Sequence, residues 1–217
     1  MQNLGGAVTP NYQRVMIFVD GTNFLARLEE TIGISLDAQR PPASVFPFAK
    51  ELFNHLPLSS GAIIHRRYWC GSYRGSDPEE GAISNNLHAC HFQPVLVKAV
   101  EGREKGVDMA LAIHLLVNAF NRNYDVGWII AGDADYIQLV TEAKRYGCIL
   151  NVAAWRKGVS PNLKLASDEF YDLNESLVQG FLDGRTALKA RYETFLKEAS
   201  VEAENAKARR NSARGGS

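Results

Sequence analysis

The sequence predicts an α/β domain, a three-layer αβα sandwich built on a mainly parallel sheet. Short apolar runs at residues 15–19 (VMIFV), 127–131 (GWIIA) and 148–154 (CILNVAA) are bounded by turn residues and have the length of fully buried strands. Between them lie segments with apolar residues at helical spacing, and strand, helix, strand in that rhythm is a βαβ unit, which implies parallel strands with helices on both faces. A third observation says where function belongs. The first run ends on Asp20 and the second on Gly132, Asp133, Ala134 and Asp135, so carboxylates gather at strand ends. In an open α/β sheet, ligands bind in the crevice outside the carboxyl ends of the strands.

Composition is consistent with one such domain. The chain has 217 residues, 46% hydrophobic and 22% charged, the proportions of an ordinary globular protein with one sizeable core. Lys and Arg together number 24, as do Asp and Glu, so a polyanion partner would have to be met by a local patch rather than by net charge. Three cysteines, Cys70, Cys90 and Cys148, are an odd number in a chain able to build its own core, which argues against a secreted disulfide framework and for a reducing, cytoplasmic compartment. No signal-peptide pattern opens the sequence, and no apolar run is long enough to span a bilayer.

In chain order, residues 1–13 read as a flexible leader. The strand at 15–19 leads through Asp20, Gly21, Thr22 and Asn23 into a helix at 24–30. Residues 31–42 are loop-like, punctuated by Pro41 and Pro42, and 44–56 is helical, with Val45, Phe48, Leu52 and Leu56 at helical spacing. A strand at 61–69 becomes basic and aromatic toward its end. Residues 71–76 read as a flexible loop, and Asp77 followed by Pro78 reads as an N-cap and first turn. A short strand follows at 94–100. Asp108 then opens a helix at 109–120 that is apolar nearly all round, which places that acid against the sheet. The strand at 127–131 passes into an amphipathic helix at 136–146, closed by Gly147 ahead of the strand at 148–154. A short helix is expected at 163–173 and a C-terminal helical extension over 174–199, with a stripe through Leu177, Phe181, Leu188, Tyr192 and Phe195. Residues 200–217 read as a polar, disordered tail.

Asp20, Asp108, Asp133 and Asp135 are therefore the candidates for a shared site. Like charges so close raise each other's pKa unless a cation sits among them. Hard divalent ions such as Mg²⁺ or Mn²⁺ take carboxylate and water oxygens and leave positions for phosphate, which makes phosphodiester hydrolysis the natural reaction class. Asn23 or Thr22 could orient a water or a carboxylate. Taken singly, Asp20 or Asp135 could simply cap the helix behind it, and Asp108 could be a first-turn carboxylate favoured by the helix dipole.

The blocks FVDGTN (18–23), KGVD (105–108) and AGDADY (131–136), in this order, resemble the NYN domains of the PIN-like nuclease superfamily, particularly the LabA-like group. The family blocks read approximately DxxN, KGxD and SGDxDF; here Ala131, Ala134 and Tyr136 replace residues at the third block without removing an acid. The resemblance spans residues 14–173. It implies a five-stranded parallel sheet of order 3-2-1-4-5 and a divalent-metal site, at Asp20, Asp108, Asp133 and Asp135 with Asn23 beside them, used for RNA cleavage. An RNA-binding or regulatory module with a vestigial acidic metal pocket, its C-terminal helix mediating assembly into a homo-oligomer, is the alternative from another class.

Other chemistries fit less well. Asp-Gly-Thr after a strand also resembles the haloacid-dehalogenase phosphatases, but their nucleophile position is Phe18 here, so the covalent route is closed. The glycines at 71, 75 and 81 lack dinucleotide-fingerprint spacing. Cys70, His88, Cys90 and His91 could ligate zinc, yet no Cys-x-x-Cys pair is present, and ordinary surface and core roles are the simpler reading. For single-stranded RNA, contacts are expected from the cations Arg66, Arg67, Arg74, Arg103 and Lys105 on phosphates, with Tyr68 and Tyr73 as stacking platforms. Thr22 completes the substrate-contact set. Lys105 is the strongest of these, three residues before Asp108. The arginines could equally cover apolar surface with their stems.

Overall fold

A computed structural model of the chain describes residues 12–99 and 106–214. The expected leader therefore falls almost wholly outside the described residues, as do Arg103 and Lys105. The elements are β1 (Arg14–Asp20), α1 (Gly21–Ile32), α2 (Val45–Phe53), β2 (Ile63–Tyr73), α3 (Asp77–Ala89), β3 (Gln93–Lys98), α4 (Val107–Phe120), β4 (Val126–Ile130), α5 (Ile137–Lys144), β5 (Ile149–Ala154), α6 (Pro161–Ala166), β6 (Phe170–Asp172), α7 (Leu173–Leu182) and α8 (Thr186–Arg214). A 3-10 turn, Ala134–Tyr136, joins β4 to α5.

The strands form one parallel sheet in the order β3-β2-β1-β4-β5-β6. Alternation along β1 explains the three layers. Val15, Ile17 and Val19 face a core shared with α1, α2, α7 and α8, while Met16 and Phe18 face a second core with α4 and α5. Both faces of the strand are buried, which is why its sequence is an unbroken apolar run. At its start, β1 is clamped to the approach to β4. The Arg14 guanidinium donates to both oxygens of Asp125, at 3.2 and 2.8 Å, and the Arg14 amide donates to Oδ2 at 2.7 Å.

Several elements depart from the sequence expectation, each for a tertiary reason. Among the described residues the sheet has six strands, not five. The expected helix at 163–173 ends at Ala166, and Phe170, Tyr171 and Asp172 pair with Val152, Ala153 and Ala154 as an edge strand. Residues 71–73, expected in a loop, continue β2 because β3 offers them partners, Gly71 to Leu96 and Tyr73 to Lys98. The N-cap of α3 is Ser76 rather than Asp77; its backbone amide and hydroxyl both donate to Glu79. Asp108 is exposed rather than buried against the sheet. α4 is apolar all round, yet only the side carrying Leu111, Leu115 and Ala119 packs inward, and Met109, Ile113, Val117 and Phe120 face solvent.

The C-terminal extension is a helical hairpin. Gly184, at φ +68, turns the chain between α7 and α8. Phe195 stacks on Phe48 of α2 at 5.4 Å, and Tyr192 contacts both Phe48 and Phe181, so the expected stripe covers the outer face of α2. α8 then runs on to Arg214, through the segment expected to be a disordered tail, with no buried residue described beyond Ala199. Among the described residues no helix is long and apolar enough to cross a membrane.

Two outcomes follow for stability. Phe195→Ala is expected to cost about 3–5 kcal/mol in urea denaturation, while Val201→Ala, on the exposed part of α8, changes stability by less than about 0.5 kcal/mol. The Arg14 hydrogen bonds hold the Asp125 carboxyl below its ordinary pKa, against a weaker opposing effect of burial. A depressed folded-state pKa stabilises above the unfolded value and is lost as pH falls, so the loss begins below about pH 4. The acid limb of a pH-stability profile should therefore be shallower in Asp125→Asn than in wild type; parallel limbs would show that the clamp contributes nothing.

Candidate active site

The site forms where the sheet order reverses. β2 lies on one side of β1 and β4 on the other, and connections leaving these neighbours diverge, opening a crevice at their carboxyl ends. Asp20 is the last residue of β1, and Asp133 lies just past the end of β4. Asp20 is only 8% exposed. A carboxylate so placed must be hydrogen-bonded, and its partners come from two different junctions. Oδ1 accepts the Asn23 amide of α1 at 2.9 Å, the N-cap role open to it from sequence, and Oδ2 accepts the Tyr136 hydroxyl at 2.7 Å.

Asn23 ties the two junctions together. While its amide donates to Asp20, its side-chain oxygen accepts the Gly132 amide at 3.0 Å, and Gly132 in turn accepts from the Ser160 amide at 2.8 Å. The glycine at 21 is a steric requirement, since a Cβ there would lie 2.3 Å from Trp69 Nε1 and 3.0 Å from the Cys70 carbonyl oxygen. Only a residue without a side chain lets the start of α1 come that close to β2.

The electrostatics of this edge are negative. Burial, and then the charge of Asp20, push the Cys70 thiol up to about 12. Burial also pushes the Tyr136 hydroxyl well above its ordinary value, followed by Asp20, Cys70 and Asp108, so Tyr136 stays a neutral donor at physiological pH. Asp108, exposed on the first turn of α4, adds to the negative potential at Tyr136. Gly106, at φ +96, supplies the left-handed residue from which that turn starts. Asp133 and Asp135 are exposed; Asp133 Oδ1 accepts the Asp135 amide at 3.2 Å, so the capping residue of this turn is Asp133, not Asp135. Beside Asp20, Thr22 Oγ1 is buried without a hydrogen-bond partner, a polar atom that a water or ligand would satisfy.

Among the described residues no group of three or more His, Cys, Asp or Glu side chains is placed to hold a metal ion as a ready-made cage. The donor set is nonetheless compatible with Mg²⁺ or Mn²⁺. Mg²⁺ keeps several waters and uses one or two protein carboxylates. One carboxylate here is buried and held by hydrogen bonds, and three others, at 108, 133 and 135, are exposed.

The expected substrate contacts are largely dispersed. Arg67 stands level with Ile17, three register positions before Cys70, and its Nη2 donates to Asn54 at the end of α2, on the sheet face opposite α4. Tyr68 is a core residue: its ring stacks on Phe18 at 5.3 Å and on His114 at 5.0 Å, leaving no face for a base. Tyr73 reaches the correct edge of the sheet but is buried, with its hydroxyl pKa raised by burial and by Glu80. Arg74 is exposed at this edge and donates to Gln39 at 2.7 Å. The considered zinc set is separated, because Cys70 faces the α4 side level with Asp20 while His88, Cys90 and His91 lie at the end of α3. The residue that sequence reasoning undervalued is Tyr136. A hydroxyl on an aromatic position of the AGDADY block was the available signal, and it is the direct partner of Asp20.

A doubly wound parallel sheet with a buried acid at its switch point is consistent with the PIN-like class of α/β domains. The NYN domain family model matches residues 14–174, and the chain belongs to that family. A crystal structure of a protein of unknown function from Vibrio parahaemolyticus shares the fold, with a TM-score of 0.58 at 18% identity over 81% of this chain and 98% of that one. None of the curated proteins compared matches the chain.

Removing the Tyr136 hydroxyl leaves a buried carboxylate short of one donor. Tyr136→Phe is expected to lower stability at neutral pH by about 1–3 kcal/mol in denaturant titration. An unchanged midpoint would mean the carboxylate finds water instead.

Proposed function

We propose that this chain is a divalent-metal-dependent ribonuclease that hydrolyses RNA phosphodiester bonds at Asp20, Asp108, Asp133 and Asp135. The observation that carries the reading is the buried, doubly hydrogen-bonded Asp20 at the switch point, with acids from α4 and from the turn after β4 on the same edge. Family membership supports a nuclease, since NYN domains belong with the PIN-like nucleases.

Asp20, assisted by Asp108, Asp133 and Asp135, would hold Mg²⁺ or Mn²⁺. The ion would supply positive charge against the phosphodiester oxygens. The chain's own groups do the rest. Tyr136 and the Asn23 amide fix both oxygens of Asp20, so the carboxylate does not have to reorganise during reaction. A carboxylate of this exposed turn that does not hold the ion would accept the proton of an attacking water as its oxygen bonds phosphorus, while the bridging P–O bond breaks and the leaving oxygen takes a proton from solvent. Asn23, holding the backbone of Gly132, keeps this turn in register with Asp20. Thr22, with its unsatisfied hydroxyl, and Arg74 at the same edge are the described residues retained as substrate contacts; Lys105 and Arg103 are retained from the sequence.

That no group of three or more ligand-type side chains is preassembled among the described residues favours a second reading, an RNA-binding module with a vestigial pocket. Cleavage of labelled single-stranded RNA in Mn²⁺, Mg²⁺ or EDTA separates the two. Wild type should cleave only with metal, and Asp20→Asn and Asp133→Asn should each lose about a hundredfold or more while still folding. Equal activity in wild type and both variants sinks the nuclease assignment. Binding without cleavage across several RNAs selects the module.

A further inference from the structure

A second site, remote from the acids, is built where β2 runs ahead of β3. β3 begins at Gln93 opposite Tyr68, so the preceding residues of β2 have no strand on that side. The space is a cavity of about 470 Å³ lined by His65, Arg66, Arg67, His88, His91 and Gln93, over a floor of Ile64 and Phe92. Three imidazoles and two guanidiniums converge there, and no carboxylate lines it.

Two backbone irregularities deliver these side chains. The register between β1 and β2 slips at Val15/Met16, so Ile64 pairs with Val15 and Arg66 with Met16, leaving His65 as a bulge. A bulge re-aims the side chains beside it. On the opposite wall, His91 adopts φ +60 immediately after α3, a conformation uncommon for a residue with a side chain. The one guanidinium that is half-buried is also incompletely satisfied: Arg67 Nη2 donates to Asn54, but its Nε is buried without a partner. Burial lowers its pKa, and a desolvated cation gains most from an anion. Lys50 and Arg191 add positive potential at the neighbouring Cys90 thiol.

We infer that this cavity binds a phosphoryl group, held by Arg66 and Arg67 with His65, His88 and His91 as further donors. Guanidinium forks match phosphate oxygens in pairs, and imidazole N–H groups complete the shell. Its volume leaves room for part of the molecule carrying the phosphate. Arg67 lies three register positions before Cys70 and Arg66 four, roughly 10 Å or more along the strand, so the cavity is separate from the acidic crevice and does not depend on the nuclease assignment. The phosphate could belong to a free phosphate compound or to the backbone of an RNA strand.

The test is binding by the full chain in EDTA, with inorganic pyrophosphate and, separately, a short oligouridylate as probes. Imidazole resonances of His65, His88 and His91 and the Kd are followed in wild type, Arg66→Gln, His88→Gln and Asp20→Asn. Saturable shifts of the three imidazoles are expected, with Kd weakened about tenfold, equivalent to about 1.4 kcal/mol, in Arg66→Gln. His88→Gln should weaken it less, and Asp20→Asn should bind as wild type. Pyrophosphate binding alone identifies a free phosphate compound, and tighter binding of the oligouridylate at the same imidazoles identifies a nucleic-acid backbone. No saturable binding of either probe overturns the inference. So does binding that both Arg66→Gln and His88→Gln leave unchanged while thermal unfolding shows them folded. Neither result touches the cleavage assay, where failure would concern the acidic site alone.

Discussion

A carboxylate held almost out of water at the end of the central strand is the constraint around which this structure is arranged. Two of the hydrogen-bond donors that meet Asp20 there come from far apart in the chain, one from the helix that follows it and one from a turn more than a hundred residues later. Those donors coincide only if β1 and β4 are neighbours and both end at the same edge. The parallel order with β1 between β2 and β4 is therefore a condition of the site as well as the frame that carries it. Gly21, which lets α1 start against Trp69 and Cys70, and Asn23, which bridges to Gly132, are local concessions to the same requirement.

The two edges of the sheet have opposite characters. The carboxyl edge is acidic, and its negative charge adds to burial in raising the Cys70 and Tyr136 pKa values. The flank of β2 beyond the start of β3 is cationic and lined by histidine and arginine. A chain with equal numbers of basic and acidic residues has no overall field to steer a polyanion. It has separated its charges instead, so anions meet a favourable surface in one place and a cation in another.

How far the site could be read from sequence depended on whether a residue's neighbours were local or distant. The positions of Asp20 and Asp133 at the sheet edge were legible because an acid at or close after the end of a buried strand stays at that end whatever surrounds it. Asp108 was placed correctly at a helix start, but its burial was misjudged. An all-round apolar helix was read as enclosed, whereas α4 exposes Met109, Ile113, Val117 and Phe120. Arg67 and Tyr68 were misplaced for a different reason. Both sit in a strand with the right polarity, but alternation sends one to the α2 side and the other into the core against Phe18. A one-residue step along a strand reverses the face, and the bulge at His65 makes the parity unreadable from the chain alone.

By itself, then, the sequence determined the fold class, the parallel βαβ rhythm, the positions of the acids and the family blocks, because these rest on short-range patterns of burial and turn chemistry. Tertiary structure decided what needed a partner far along the chain. It recruited Phe170 to Asp172 as a sixth strand beside β5, extended β2 as far as β3 reached, and folded the C-terminal stripe into a hairpin over α2. It also gave Tyr136 to Asp20 and brought His65, His88 and His91 around one cavity. Backbone pairing and buried hydrogen bonds reward whichever partner is nearest in space, and that is a property of the packed chain rather than of any stretch of it.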